Sequence, residues 1–249
     1  MIQQPYIGIT GFMNRKEIDI ILRSMGSDEE RFLMVGVLAS EKTLLDLKNK
    51  WPNRYPKLEE IENIFYKHKQ IINIIHYHTD NEYFIDELES LVIFAGEACN
   101  GIQLNITWPN PTILEFFKKS HPDKKIIFQV NGKMLSRPLK ELYHRFLTDY
   151  NGLVDYILFD GSSGKGIPLD VDFLLPYFET FASVSCNNFN MVVAGGLHAN
   201  NLQLLNPLIK IYPDLSVDAE GALRDRSDKL SIVKTKNYFR EALKLFNPF

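Results

Sequence analysis

The chain has 249 residues, of which 45% are hydrophobic and 24% charged, the mix of an ordinary globular protein with material for a large core. A formal net charge of −3 gives no electrostatic ground for a nucleic-acid or anionic-membrane partner. No apolar run reaches the ~20 residues of a membrane span, and no basic stretch followed by an apolar core opens the chain, so a cytoplasmic protein is expected.

Eight largely apolar, β-branched runs read as strands, at 6–11, 32–39, 71–79, 101–107, 125–130, 156–160, 191–195 and 215–218. Amphipathic runs between and after them read as helices at 15–25, 86–96, 112–120, 139–150, 172–181, 200–211 and 230–246. Asn14 precedes the first helix, Asn110-Pro111 the helix at 112–120, and Arg137-Pro138 the helix at 139–150. Gly96 stands where a C-cap belongs. Strand–helix alternation of this kind suits either an open doubly wound sheet or a closed barrel. Its eightfold repeat and the length of the chain favour one (β/α)8 TIM-barrel domain over residues 1–249. The connection at 40–70 is unusually long and carries a stiff turn, Trp51-Pro52-Asn53-Arg54-Tyr55-Pro56, before a charged helix. That turn reads either as a lid or as a surface excursion. Cys99 and Cys186 lack metal-type spacing and read as two buried free thiols.

In a barrel of this kind, chemistry sits where strands end. Those ends carry Thr10, Ser40, His76 with His78 and Asp80, Asn105 with Thr107, Asn131, Asp160, Gly195-Gly196, and Asp218 with Glu220. Such a polar ring suits proton transfer on a small anionic or sugar-like substrate. Asp160 ends an apolar strand, and desolvation there disfavours a carboxylate, which suits a general acid. The same residue also reads as a loop cap for the Gly/Ser turn that follows. That turn, with Gly164 and Lys165, departs from a P-loop, since Gly166 stands where Ser or Thr belongs. The run Met191-Val192-Val193-Ala194-Gly195-Gly196-Leu197 leads a strand into a helix start and reads equally as a phosphate seat or a bare helix start. His76 and His78 share one side of a strand and could hold a metal ion as in barrel hydrolases. The following strands add only Asn131 and Asp160, and His121, His144 and His198 fall elsewhere, so hydrogen-bonding lining is the favoured reading and no metal is expected.

Several of these motifs together resemble phosphoribosylanthranilate isomerase, the tryptophan-pathway barrel. Ile7-Gly8-Ile9-Thr10 is similar to the family's opening Cys-Gly-Ile-Thr, and Asn53-Arg54-Tyr55-Pro56 to its Lys-Arg-Tyr turn. Gly101-Ile102-Gln103-Leu104-Asn105 resembles its Val-Gln-Leu-His strand, and Leu158-Phe159-Asp160 with Ser163-Gly164-Lys165-Gly166 its acid-bearing strand and Gly-rich loop. Ala194-Gly195-Gly196-Leu197 with Asn200-Asn201-Leu202 is similar to its phosphate turn.

The resemblance implies an Amadori rearrangement of an aminoaldose phosphate, with Asp160 as the acid that opens the sugar. It implies that Arg54 pairs with a substrate carboxylate and that Gly195 and Gly196 hold the phosphate. Gly164, Lys165 and Gly221 would complete the phosphate seat, and Gln103 and Asn105 would line the pocket. Neither a cofactor nor a macromolecular partner beyond a second copy is implied; a monomer or homodimer acting on a small anionic molecule is expected. The chain departs from the family at Ile7, which replaces the cysteine base, and at Asn105, which replaces a histidine. It departs again at Val217-Asp218-Ala219-Glu220-Gly221, where Asp-Val-Ser-Ser-Gly is expected. Glu220 beside a phosphate needs compensation, from Arg224 or Lys165. A replacement base would come from Asp218, Glu220 or His78. The alternatives are a non-catalytic barrel that binds small anions and a metal-dependent hydrolase using His76 and His78.

Overall fold

Eight parallel strands close on themselves in the computed structural model, which describes residues 3–25, 31–161, 169–183 and 189–246. The strands are β1 (Tyr6–Thr10), β2 (Phe32–Ser40), β3 (Ile71–His78), β4 (Gly101–Leu104), β5 (Lys125–Val130), β6 (Tyr156–Asp160), β7 (Asn190–Ala194) and β8 (Ser216–Ala219). Each pairs with the next in sequence, and β1 pairs with β8 to close the barrel, Gly8 opposite Asp218. The expected TIM barrel is therefore the fold.

The helices are α1 (Arg15–Leu22), α2 (Glu41–Leu44), α3 (Ile61–Ile64), α4 (Ile85–Ala95), α5 (Pro111–Ser120), α6 (Gly132–Leu135), α7 (Leu139–Asp149), α8 (Val171–Ala182), α9 (Asn206–Ile211) and α10 (Ile232–Phe246). Local chemistry starts several of them. The Asn14 side chain accepts from Glu17 N in a capping box, and Asn110 accepts from Thr112 N ahead of Pro111 at the first helical position. Gly96 closes α4 at φ 71°, a conformation open to glycine without cost.

Alternation along each strand divides the core in two. Tyr6, Met34, Ile72, Ile74, Ile127, Tyr156, Leu158 and Val192 fill the lumen, with Tyr6 edge-on to Tyr156 at 5.1 Å between ring centroids. The much larger second layer packs the outer strand faces against the helices. Ile7 belongs to that outer layer, whereas Gly8 and Thr10 face inward. Position 7 therefore offers the barrel mouth no base, by direction as well as by chemistry. Cys99 is a buried free thiol, as expected, and Cys186 lies outside the described residues.

Three expectations change. β4 stops at Leu104 rather than 107, because the chain turns through Trp108 at φ 56° and Pro109. The helix expected at 200–211 splits into a 3-10 turn, Leu202–Leu205, and α9, with Pro207 at the break. The charged helix expected after the stiff turn is short, a 3-10 turn at Leu58–Glu60 running into α3, and α2 precedes that turn.

Candidate active site

The strand alternation that packs the lumen also decides what reaches the C-terminal mouth. Continuing the inward parity gives Thr10, His76, Gln103, Gln129, Asp160, Ala194 and Asp218, followed by His78, Asn105, Asn131, Gly196 and Glu220. Two lobes of one cleft open there, of about 620 and about 680 Å³. Both are lined by His76, Gln129, Asp160 and Glu220, so these four residues stand where the lobes meet.

A chain of side-chain amides leads to Asp160. Gln103 Nε2 donates to Gln129 Oε1 at 3.2 Å, and Gln129 Nε2 donates to Asp160 Oδ2 at 3.2 Å. All three residues are buried, so the bonds fix rotamers that solvent does not loosen. Gln129 is missing from the strand-end ring read from the sequence. It lies two positions before Asn131, and the period of two along β5 is the signal that identifies it.

Asp218 sits deeper. Its carboxyl accepts from Thr10 Oγ1 at 3.3 Å and crowds the space over Gly8, where a Cβ would come within 2.7 Å of Oδ1. Burial, then repulsion from Glu220, pushes this carboxyl up to about 8. Desolvation at the mouth thus acts clearly on the strand-eight acid. The imidazole of His76 is moved the other way, below its ordinary value, chiefly by burial.

Glu220 is compensated by two guanidinium groups, Arg54 Nη1 at 3.4 Å and Arg224 Nη2 at 3.2 Å. Arg54 also forks onto Asp228, Nε to Oδ2 at 2.7 Å and Nη2 to Oδ1 at 2.6 Å. The resemblance gives Arg54 a substrate carboxylate; here its fork is filled by the protein's own Asp228. Asn53 Nδ2 adds a bond to Ser227 O at 2.8 Å, so the stiff turn after β2 is tied down over the loop after β8.

The Gly195-Gly196 turn lies in the larger lobe, with φ of 118° and 63° that side-chain-bearing residues rarely adopt. Asn201 pins it from both sides, donating to Gly196 O at 3.0 Å and accepting from His198 N at 2.8 Å. His198 and Gly221 line the same lobe. His198, expected elsewhere, thus belongs to the site, because the turn folds back over the barrel before the 3-10 segment begins. Gly164 and Lys165 lie outside the described residues.

The smaller lobe holds His78, Asn105, Asn131, Lys133 and Trp108. His78 Nδ1 meets Asn105 O at 2.8 Å, and Asn131 Nδ2 donates to Thr107 Oγ1 at 3.0 Å. Trp108, which sequence reasoning missed, stacks on Tyr150 and lies beneath Arg145 at 4.1 Å. His76 and His78 share a strand face, yet among the described residues no three His, Cys, Asp or Glu side chains gather as a metal site would require.

The architecture defines this chain as a (β/α)8 barrel with a polar, carboxylate-bearing mouth. No family model and no curated protein matches its sequence. Solved structures match its shape. Phosphoribosyl anthranilate isomerase from Thermus thermophilus aligns with a TM-score of 0.65 at 15% identity, over 96% of this chain and 99% of its own. The isomerase from Thermococcus kodakaraensis gives 0.60 at 16%, over 96% and 98%. The catalytic domain of a chitinase from Pyrococcus furiosus gives 0.61 at 8%, over 100% and 97%. At these identities the likeness is one of fold.

Proposed function

We propose that the chain is an acid/base barrel enzyme of isomerase type, acting on a small sugar phosphate or a related anionic substrate. One observation carries the reading: Asp160, Asp218, Glu220 and His76, drawn from three strands and one strand end, meet around one cleft at the mouth. A pocket with only a binding role has no need of a carboxyl that costs folding free energy to bury.

The two aspartates divide the work. Asp218, pushed up to about 8, carries its proton near neutrality and serves as the donor. Asp160, whose Oδ2 accepts from the Gln129 amide, is the base that takes a proton from carbon. This exchanges the roles that the resemblance implies. Glu220, between its two arginines, supplies field and position. The Gly195-Gly196 turn suits an anionic end of the substrate. That solved isomerases of phosphoribosyl anthranilate share the fold supports the class, while Ile7 weighs against that substrate.

Exchange of the substrate's C2 proton in deuterated water, followed by NMR over a panel of small aldose phosphates, tests the reading without foreknowledge of the product. The protein should wash deuterium into at least one member and give little or no turnover of phosphoribosylanthranilate. Asp160→Asn should slow exchange at least ~100-fold while calorimetric affinity stays within about threefold (~0.7 kcal/mol). Absence of exchange across the panel, or exchange indifferent to Asp160→Asn, overturns it.

A further inference from the structure

We infer that His76 is a neutral imidazole fixed with its proton on Nε2, a hydrogen-bond donor to a substrate oxygen at the junction of the two lobes. The site and substrate class rest on the reading above; the tautomer rests on geometry alone.

β3 alternation turns the ring into the lumen, in register between Leu38 of β2 and Gln103 of β4. His76 is 7% exposed and lines both lobes. Its Nδ1 is fully buried with no hydrogen-bond partner. A buried N–H without an acceptor is rarer than a buried acceptor without a donor, so the bare nitrogen is Nδ1 and the proton goes to Nε2. Nε2 stands at the far tip of the ring, which makes it the nitrogen that a ligand in the cleft meets. His78 is set the opposite way: its Nδ1 faces the carbonyl of Asn105, an acceptor only, so Nδ1 carries the proton. Two histidines on one strand face are therefore set differently at Nδ1, bare in His76 and protonated in His78.

Burial opposes the charged ring and prevails; Glu220, just past β8, and Asp160 of β6 favour it, and His78 of β3 opposes it. A neutral N–H keeps its proton while polarising an oxygen. That suits a carbonyl in the ground state and an enolate or enediolate as C2 is deprotonated. The ligand class narrows accordingly to molecules whose reacting carbon neighbours a carbonyl oxygen, seated between Asp160 and His76.

Long-range ¹H–¹⁵N correlation spectra of the ¹⁵N-histidine protein read the tautomer directly. His76 is assigned by loss of its signals in His76→Gln, or in His76→Asn should the glutamine variant not fold. Its Nδ1 should resonate as a bare nitrogen and its Nε2 as a protonated one from about pH 5.5 to about pH 8. A proton on Nδ1, or a His76 ring that gains charge within that range, overturns the assignment. Added ribose 5-phosphate should shift the His76 Nε2 signal and leave His144 unmoved. With the tautomer as assigned, a spectrum indifferent to ribose 5-phosphate refutes that sugar phosphate as a ligand of the site and leaves the tautomer in place.

Discussion

Asp218 is the residue at which stability and function pull apart. Its folded carboxyl titrates near 8 against an ordinary 3.8, so the folded protein holds a proton that the unfolded chain has released between those values. Its contribution is therefore full below about pH 4 and is lost as pH rises toward about 8. Asp218→Asn keeps an acceptor for Thr10 Oγ1 and removes the charge. At pH 8 the variant should be more stable than the parent by about 2 kcal/mol, discounted from the ~1.4 kcal/mol per unit of displacement because buried groups relax. At pH 5 the difference should fall to about a third of that, and deuterium exchange into substrate should be lost at both. Urea melts at the two pH values check the sign: a variant no more stable at pH 8 than at pH 5, relative to the parent, removes the buried charge from the account. Residues of this kind were only partly legible in the sequence. Asp160, His76, Asp218 and Glu220 were visible because each lies at or beside the C-terminal end of a strand, and strand ends are where a barrel exposes polar groups. Gln129 was not, because a glutamine one layer below the rim looks like any polar residue until its amide is seen to hold Asp160.

At the scale of the element, strands proved more legible than connections. Strands are specified by their own β-branched, apolar runs, and all eight lie within a few residues of where those runs placed them. The connections depend on partners remote in sequence. Nothing between Trp51 and Pro56 announces that Arg54 will reach Asp228, 174 positions away. That fork anchors the turn to the loop after β8, beside the cleft. An ammonium cannot reproduce the two parallel bonds of a guanidinium, so Arg54→Lys should loosen the turn. Arg54 and Asp228 are both partly exposed, which limits the cost in global stability to about 1 kcal/mol or less. Local opening should respond more strongly, with amide exchange at 49–56 and 224–229 rising about tenfold, equivalent to ~1.4 kcal/mol. Unchanged exchange in both segments would show that Asn53 holds the turn without the fork.

For the whole molecule, a closed barrel depends on the seam where first and last strands meet, and here the N-terminal face carries the fastening. Arg31, 4% exposed, donates from Nη1 to Leu215 O at 2.6 Å and from Nη2 to Pro213 O at 2.5 Å, while its guanidinium lies 3.5 Å over the ring of Phe246. One side chain thus joins the approach to β2, the approach to β8 and the end of α10. A second fastening sits on the far side, where Asp155 pairs with Lys118 at 2.6 Å and takes the backbone N–H of Ile126 at 2.9 Å. Both lie at the opposite end of the strands from the cleft, so fastening and chemistry are free to vary separately. Arg31→Met preserves the aliphatic stem but orphans two carbonyls, and should cost about 2–4 kcal/mol. For a domain of this size that is a fall in Tm of roughly 4–16 °C. The histidine spectrum at 25 °C should keep the bare Nδ1 of His76, since nothing near that ring has changed. A fall of under ~2 °C, within the ±0.5 kcal/mol of an ordinary surface substitution, would mean that the β1–β8 ladder closes the barrel without Arg31. A displaced His76 pattern would mean that the two faces are coupled through the lumen, by way of Tyr6 and the layer of side chains above it.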